Sequence, residues 1–163
     1  MPRFAANLSM MFTEVPFLDR FEAAARAGFT AVEFLFPYDH PAEEVGKRLH
    51  GNGLTQALFN LPPGNWEAGE KGFASLPDRF GDLQQSLRTA LPYAQATGVK
   101  RLHLMAGIAN RGERKAVEAF YKSVAWAAEF FAPHGIDVVL ELIGGTAAVV
   151  GAFTLFLRPG ATN

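Results

Sequence analysis

Four polar residues interrupt or close otherwise apolar segments, and with one loop tryptophan they are the side chains of this sequence best suited to chemistry. Glu141 lies within Val138-Val139-Leu140-Glu141-Leu142, Glu33 within Ala31-Val32-Glu33-Phe34-Leu35-Phe36, and His103 within Leu102-His103-Leu104-Met105. Asn60 closes the run Gln56-Ala57-Leu58-Phe59, and Trp66 stands in a stretch rich in glycine and proline. Burying an unpaired carboxylate is expensive. An acid inside an apolar strand therefore either reaches water at the strand end or has a metal or a substrate as its partner. Both readings stand for Glu141. For Glu33 an ion pair with a neighbouring strand or helix is the simpler one. A single strand histidine such as His103 is more often satisfied in a core than used as a ligand, although a place at a barrel mouth would favour function. Asn60 can hydrogen-bond a polar substrate, and turn chemistry explains an Asn there equally well. Phe34 and Phe36 read as core, and Trp66 as the wall of a pocket.

The elements that must position these groups follow from periodicity and punctuation. Phe4 to Leu8 is a first strand. Thr13 offers an N-cap, with Glu14 and Pro16 in the first turn and Phe17, Phe21, Ala24 and Ala25 at helical spacing. Ala31–Phe36 is a second strand, the stripe Ala42, Val45, Leu49 a second helix, and Gln56–Asn60 a third strand. A long loop from Leu61 to about Asp78 has the length of a functional segment. Leu83, Leu87, Ala90, Leu91 and Ala94 mark a third helix, and Arg101–Gly107 a fourth strand. Val117, Phe120, Tyr121, Val124, Ala127, Ala128 and Phe131 mark a fourth helix, with Glu118 and Lys122 as an i,i+4 pair. Asp137–Ile143 is the fifth strand. Four times a helix ends in glycine (Gly28, Gly53, Gly98, Gly135) and a strand starts within a few residues.

Repeated strand–helix units with largely apolar strands predict an α/β fold with a parallel sheet covered by helices. An open doubly wound sheet and part of a (β/α)8 barrel both fit. No glycine-rich phosphate fingerprint follows the first strand, which favours the barrel.

Composition removes several classes. The 163 residues are 49% apolar, carry a net charge of -1 and contain no cysteine. This argues against disorder, nucleic-acid binding, a disulfide scaffold and any thiolate metal site. The N-terminus lacks the long apolar core of a secretory signal, and a cytoplasmic location is expected. From Leu142 to Leu157 there is no charged residue. Together with the fifth strand this approaches the length of a membrane span, but Glu141 and the strand-like start argue against one. No Ser-His-Asp order, His-Glu-x-x-His or phosphate loop is present.

Five segments, in order, resemble hydroxypyruvate isomerase, a family of xylose-isomerase-like barrels. They are Arg3–Phe12, Ala31–Tyr38, Ala57–Asn60, Gly64–Glu70 and Leu102–Gly107. The resemblance implies a (β/α)8 barrel that interconverts hydroxypyruvate and tartronate semialdehyde through an enediolate. It also implies two glutamates as proton donor and acceptor, often around a divalent metal such as Mg2+ or Mn2+. Glu141 matches the first glutamate, at the end of the fifth strand, and is thereby the implied catalytic residue and metal ligand. Asn60, Trp66 and His103 are the expected contacts for a small hydroxy-keto acid.

The resemblance stops near Glu141. A family barrel continues for roughly a hundred further residues, through strands six to eight. Here no acid and no histidine follows Glu141. The expectation is a partial barrel over residues 1–143, about five parallel strands and four helices, with the second half absent, the metal's ligand set incomplete and a divergent apolar tail at 144–163. A frameshift or rearrangement accounts for such an abrupt change. Weak or absent isomerase activity would follow. Open edges at strands one and five would favour a homo-oligomer, or cover by the tail. Two further readings are a catalytically silent self-associating protein and a related sugar isomerase or epimerase.

Overall fold

The structure, a computed structural model, describes residues 4–110 and 112–141, Glu141 by its backbone alone. The expected tail therefore lies outside the described residues. Strands and helices alternate as β1 (Ala6–Asn7), α1 (Arg20–Arg26), β2 (Ala31–Phe34), α2 (Ala42–Gly51), β3 (Thr55–Asn60), α3 (Phe80–Thr97), β4 (Arg101–Met105), α4 (Arg114–Phe131) and β5 (Asp137–Glu141). The five parallel strands lie in one sheet in sequence order, β1-β2-β3-β4-β5. A doubly wound sheet reverses its strand order at a switch point, whereas barrel strands follow one another around. The unbroken order is that of a barrel series. No described helix is long and apolar enough to cross a membrane.

The backbone forms two compact units. One is built from Met1–Asn60 and Ala90–Arg101, the other from Leu61–Thr89 and the residues from Leu102 on. In the first, β1 and β2 pair in parallel with Asn7 opposite Glu33. The β2–β3 ladder slips by one residue between Val32 and Glu33, so that Phe34 stands opposite Phe59. The Phe34 ring lies 5.3 Å from Phe17, 6.0 Å from Phe21 and 5.8 Å from Phe59, centroid to centroid. Such aromatic pairs each add about 0.5–1.5 kcal/mol beyond the area they bury. Phe34 is thus core, as expected.

The first helix starts later than Thr13. Residues 8–16 form turns, Pro16 is extended (φ -54°, ψ 151°), and a 3-10 turn at Phe17–Asp19 leads into α1. The reason is long-range. The Arg20 guanidinium donates to the carbonyls of Leu8 (2.7 Å) and Val15 (3.0 Å) and holds the segment across the helix start. β2 likewise ends at Phe34 instead of Phe36, because the Leu35 amide donates to Ser9 Oγ at 2.8 Å. Gly28, Gly53 and Gly98, and Gly135 in the second unit, all have left-handed φ (91°, 66°, 67° and 64°). The repeated helix–glycine–strand reading therefore holds.

In the second unit, Leu83 and Leu87 of α3, Leu102 and Leu104 of β4, and Val124, Ala127 and Phe131 of α4 are buried. Val138, Val139 and Leu140 of β5 are buried in succession, so both faces of that strand are covered. The expected α4 stripe is too wide. Val117 and Tyr121 are exposed, and the buried arc runs instead through Ala116, Ser123, Val124, Ala127 and Phe131. The expected Glu118–Lys122 pair is replaced. Glu118 accepts from Arg114 at 3.0 Å, and the Lys122 ammonium rests 4.0 Å from the centroid of Phe80.

Candidate functional site

In the first unit the candidate groups cluster at the C-terminal ends of the strands. Asn60 is the last residue of β3 and is buried. Its amide donates to the Leu35 carbonyl at 3.0 Å, and its carbonyl accepts from the Tyr38 hydroxyl at 2.6 Å. Burial, with a smaller contribution from the neighbouring Tyr93, holds the Tyr38 phenol well above its ordinary pKa. Tyr93 donates in turn to the His40 carbonyl at 2.8 Å. A hydroxyl that stays protonated and donates to a main-chain oxygen is a fixing device for the residue that carries that oxygen.

Glu33 lies on the opposite face of β2 from the core residue Phe34. It is half-buried, and its Oε1 accepts from Asn7 Nδ2 at 3.0 Å. The partner is therefore an amide on β1, where an ion pair was expected. The pairing was hidden in the sequence because Asn7 and Glu33 are 26 residues apart and meet only through parallel register. The signal was present in part, since both are polar residues at the ends of apolar strands.

The second unit holds the long loop, Trp66, His103 and Glu141. The loop is ordered by its own chemistry. Gly72 and Ala106 form an antiparallel bridge beyond β4, flanked by the Gly107 amide donating to the Lys71 carbonyl (3.0 Å), and the Ser75 amide donates to the Ala106 carbonyl (2.6 Å). Gly72, at φ 101°, has no room for a side chain: a Cβ would overlap the Met105 carbonyl. At the far end of the loop, Glu70 Oε1 accepts from Arg79 Nη1 at 2.6 Å and Oε2 from the Asn65 amide at 2.6 Å. Arg79 Nε also donates to Asp82. The hydrogen bond from Arg79, followed by the one from Asn65, holds the Glu70 carboxyl below its usual range. Trp66 is 39% exposed, with the Lys71 ammonium 3.0 Å above its ring.

His103 is 3% exposed on β4, and its carbonyl accepts from the Leu61 amide at 2.9 Å. Glu141 is the last described residue of β5. It stands at the strand's C-terminal end, the end at which barrel enzymes carry their active sites. Among the described residues no three His, Asp or Glu side chains come together as a metal cage.

Known proteins are similar to this chain in sequence. The xylose isomerase-like TIM barrel family matches residues 21–156. The 2-oxo-tetronate isomerase of Cupriavidus necator is 52% identical over 145 residues, covering 88% of this chain and 56% of that protein. The hydroxypyruvate isomerase of Escherichia coli is 39% identical over 145 residues, again 88% of this chain and 56% of that protein. A crystal structure described as an AP endonuclease, family 2, from Brucella melitensis superposes with a TM-score of 0.83 at 51% identity, covering 86% of this chain and 55% of that one. The chain thus spans about half the length of the curated relatives it matches. A single family model accounts for most of its residues, and its strand order is that of a barrel: the chain belongs to the xylose isomerase-like TIM barrel family.

Proposed function

We propose that the chain carries the acid/base glutamate of an isomerase for short 2-oxo-3-hydroxy acids, and that a four-carbon 2-oxo-tetronate suits it better than hydroxypyruvate. The carrying observation is Glu141 at the C-terminal end of β5, in a barrel-type series of strands. The preference for four carbons rests on similarity: 52% identity to a protein named for 2-oxo-tetronate against 39% to one named for hydroxypyruvate.

The chemistry needs no oxidant. A carboxylate removes the proton from C3, and the electron pair moves onto the C2 carbonyl oxygen to give an enediolate. The proton returns at C2, the C3 hydroxyl proton passes to the C2 oxygen, and the carbonyl now stands at C3. The developing negative charge needs donors already in place. In this reading Glu141 moves the proton, the His103 imidazole supplies a donor and Trp66 borders the substrate.

A substrate panel tests this. Hydroxypyruvate, 2-oxo-tetronate and a ketohexose are each incubated with the chain in D2O, and deuterium uptake beside the carbonyl is read by NMR. The reading expects fastest exchange with the four-carbon acid. Exchange confined to the ketohexose would replace it with a sugar epimerase or isomerase.

A further inference from the structure

We propose that Glu70 is the positioning residue of the β3–α3 loop: anchored by Arg79, its carboxylate fixes the turn that presents Trp66. The two oxygens divide the work. Oε1 takes the Arg79 guanidinium and Oε2 takes the Asn65 amide, one residue before Trp66. The turn closes on itself as well, through the Glu70 amide to the Asn65 carbonyl and the Gly69 amide to the Trp66 carbonyl, both at 3.0 Å. Asn65 Oδ1 accepts from the Ala68 amide at 3.0 Å. Gly64, at φ 90°, gives the carboxylate room, since a Cβ there would overlap Glu70 Oε2.

The anchor is itself held from several sides. Arg79 sits in the 3-10 turn Pro77–Arg79 that leads into α3, donates to Asp82 in the first turn of that helix, and lies 4.8 Å from the Phe73 centroid. Glu70 is thus paired with Arg79, which also holds Asp82, while the adjacent Lys71 is engaged on Trp66. A carboxylate between a guanidinium and a main-chain amide holds one geometry, as charge-assisted bonds to a planar fork do.

The inference leans on the isomerase reading only for the meaning of Trp66, so its test uses no activity. The chain has two tryptophans, and Trp126→Phe leaves Trp66 as the sole reporter. In that background, acrylamide quenching of Trp66, its emission from pH 3 to 7, and exchange of the Asn65 amide are measured, with circular dichroism as the check on folding. The parent should show an emission step below the ordinary carboxylate range of about 4.3. Glu70→Gln should abolish that step and speed Asn65 exchange by about tenfold or more. Arg79→Lys keeps the charge without the fork and should fall between the two. A folded Glu70→Gln with unchanged quenching and exchange overturns the proposal. Should that variant fail to fold, Arg79→Lys decides, and Asn65 exchange and Trp66 quenching unchanged from the parent overturn the proposal. 2-Oxo-tetronate added to the parent tests the other reading. A working clamp with no ligand response would remove Trp66 from the substrate site and leave Glu70 in its role.

Discussion

The Tyr38 hydroxyl donates to the Asn60 carbonyl at 2.6 Å, and so the loop after β2 fixes the end of β3. The bond places a main-chain oxygen that would otherwise be buried without this donor. Tyr38→Phe keeps the ring contacts with Tyr93 and Phe59, at 5.1 Å and 6.4 Å, and removes the donor alone. It should cost about 1–2 kcal/mol in urea unfolding. A change below about 0.3 kcal/mol would show that the bond does not contribute to stability.

Tyr38 also sets a pH dependence. Its phenol is raised in the folded chain, so the folded state keeps this proton where the unfolded chain has lost it. Above the unfolded value of about 10, the unfolded state binds fewer protons and stability falls as pH rises. The contribution is complete below about pH 10 and is lost through the folded pKa. Stability curves of the parent and Tyr38→Phe between pH 8 and 11.5 should therefore differ in slope above pH 10, the parent falling more steeply.

Asn7 and Glu33 make a second polar link, between β1 and β2. Removing the amide leaves a half-buried carboxylate short of a donor. Asn7→Leu should destabilise by about 1.5–3 kcal/mol, the range for hydrogen bonds to charged groups, and thermal unfolding would measure it. Adding Glu33→Leu should recover part of the loss, because the stranded charge goes with it. A double variant worse than the sum of the two single ones would contradict this.

Gly46 reverses a rule of helices. Glycine to alanine inside a helix ordinarily stabilises by about 1 kcal/mol. Gly46 of α2 is buried against the last turn of α3, and a Cβ there would lie 2.5 Å from the Ala96 carbonyl oxygen. That oxygen also lies 3.0 Å from His50 Nε2. Gly46→Ala should destabilise by about 1–3 kcal/mol, whereas Gly51→Ala, with open space around its Cβ, should not.

Much of the fold was legible because its signals are local. Helical periodicity in α2 and α3, apolar strands and a glycine after each helix name the alternation, and the missing phosphate fingerprint points to a barrel. The misplaced boundaries have distant causes. Arg20 reaches back to Leu8, Ser9 reaches across to Leu35, and neither contact leaves a trace in local pattern. The α4 stripe misled at Val117 and Tyr121, because periodicity marks an apolar arc without saying how much of it a neighbour covers. At the candidate site, strand ends could be picked out as places for Asn60 and Glu141. The support of Asn60 by Tyr38, and the Glu70–Arg79 clamp in the loop that carries Trp66, depend on side chains meeting across turns.

Glu141 is proposed to move a proton next to a carbonyl. A single carboxylate can take and return the same proton, so isotope exchange asks only for that step. Proton NMR of 2-oxo-tetronate and hydroxypyruvate in D2O, with and without Mg2+, would follow the C3 hydrogens in the presence of the chain and of Glu141→Gln. Exchange above the buffer and metal blanks, reduced about 100-fold or more by Glu141→Gln, is the predicted result. Exchange no faster than the blanks, or equal exchange by Glu141→Gln, would contradict it.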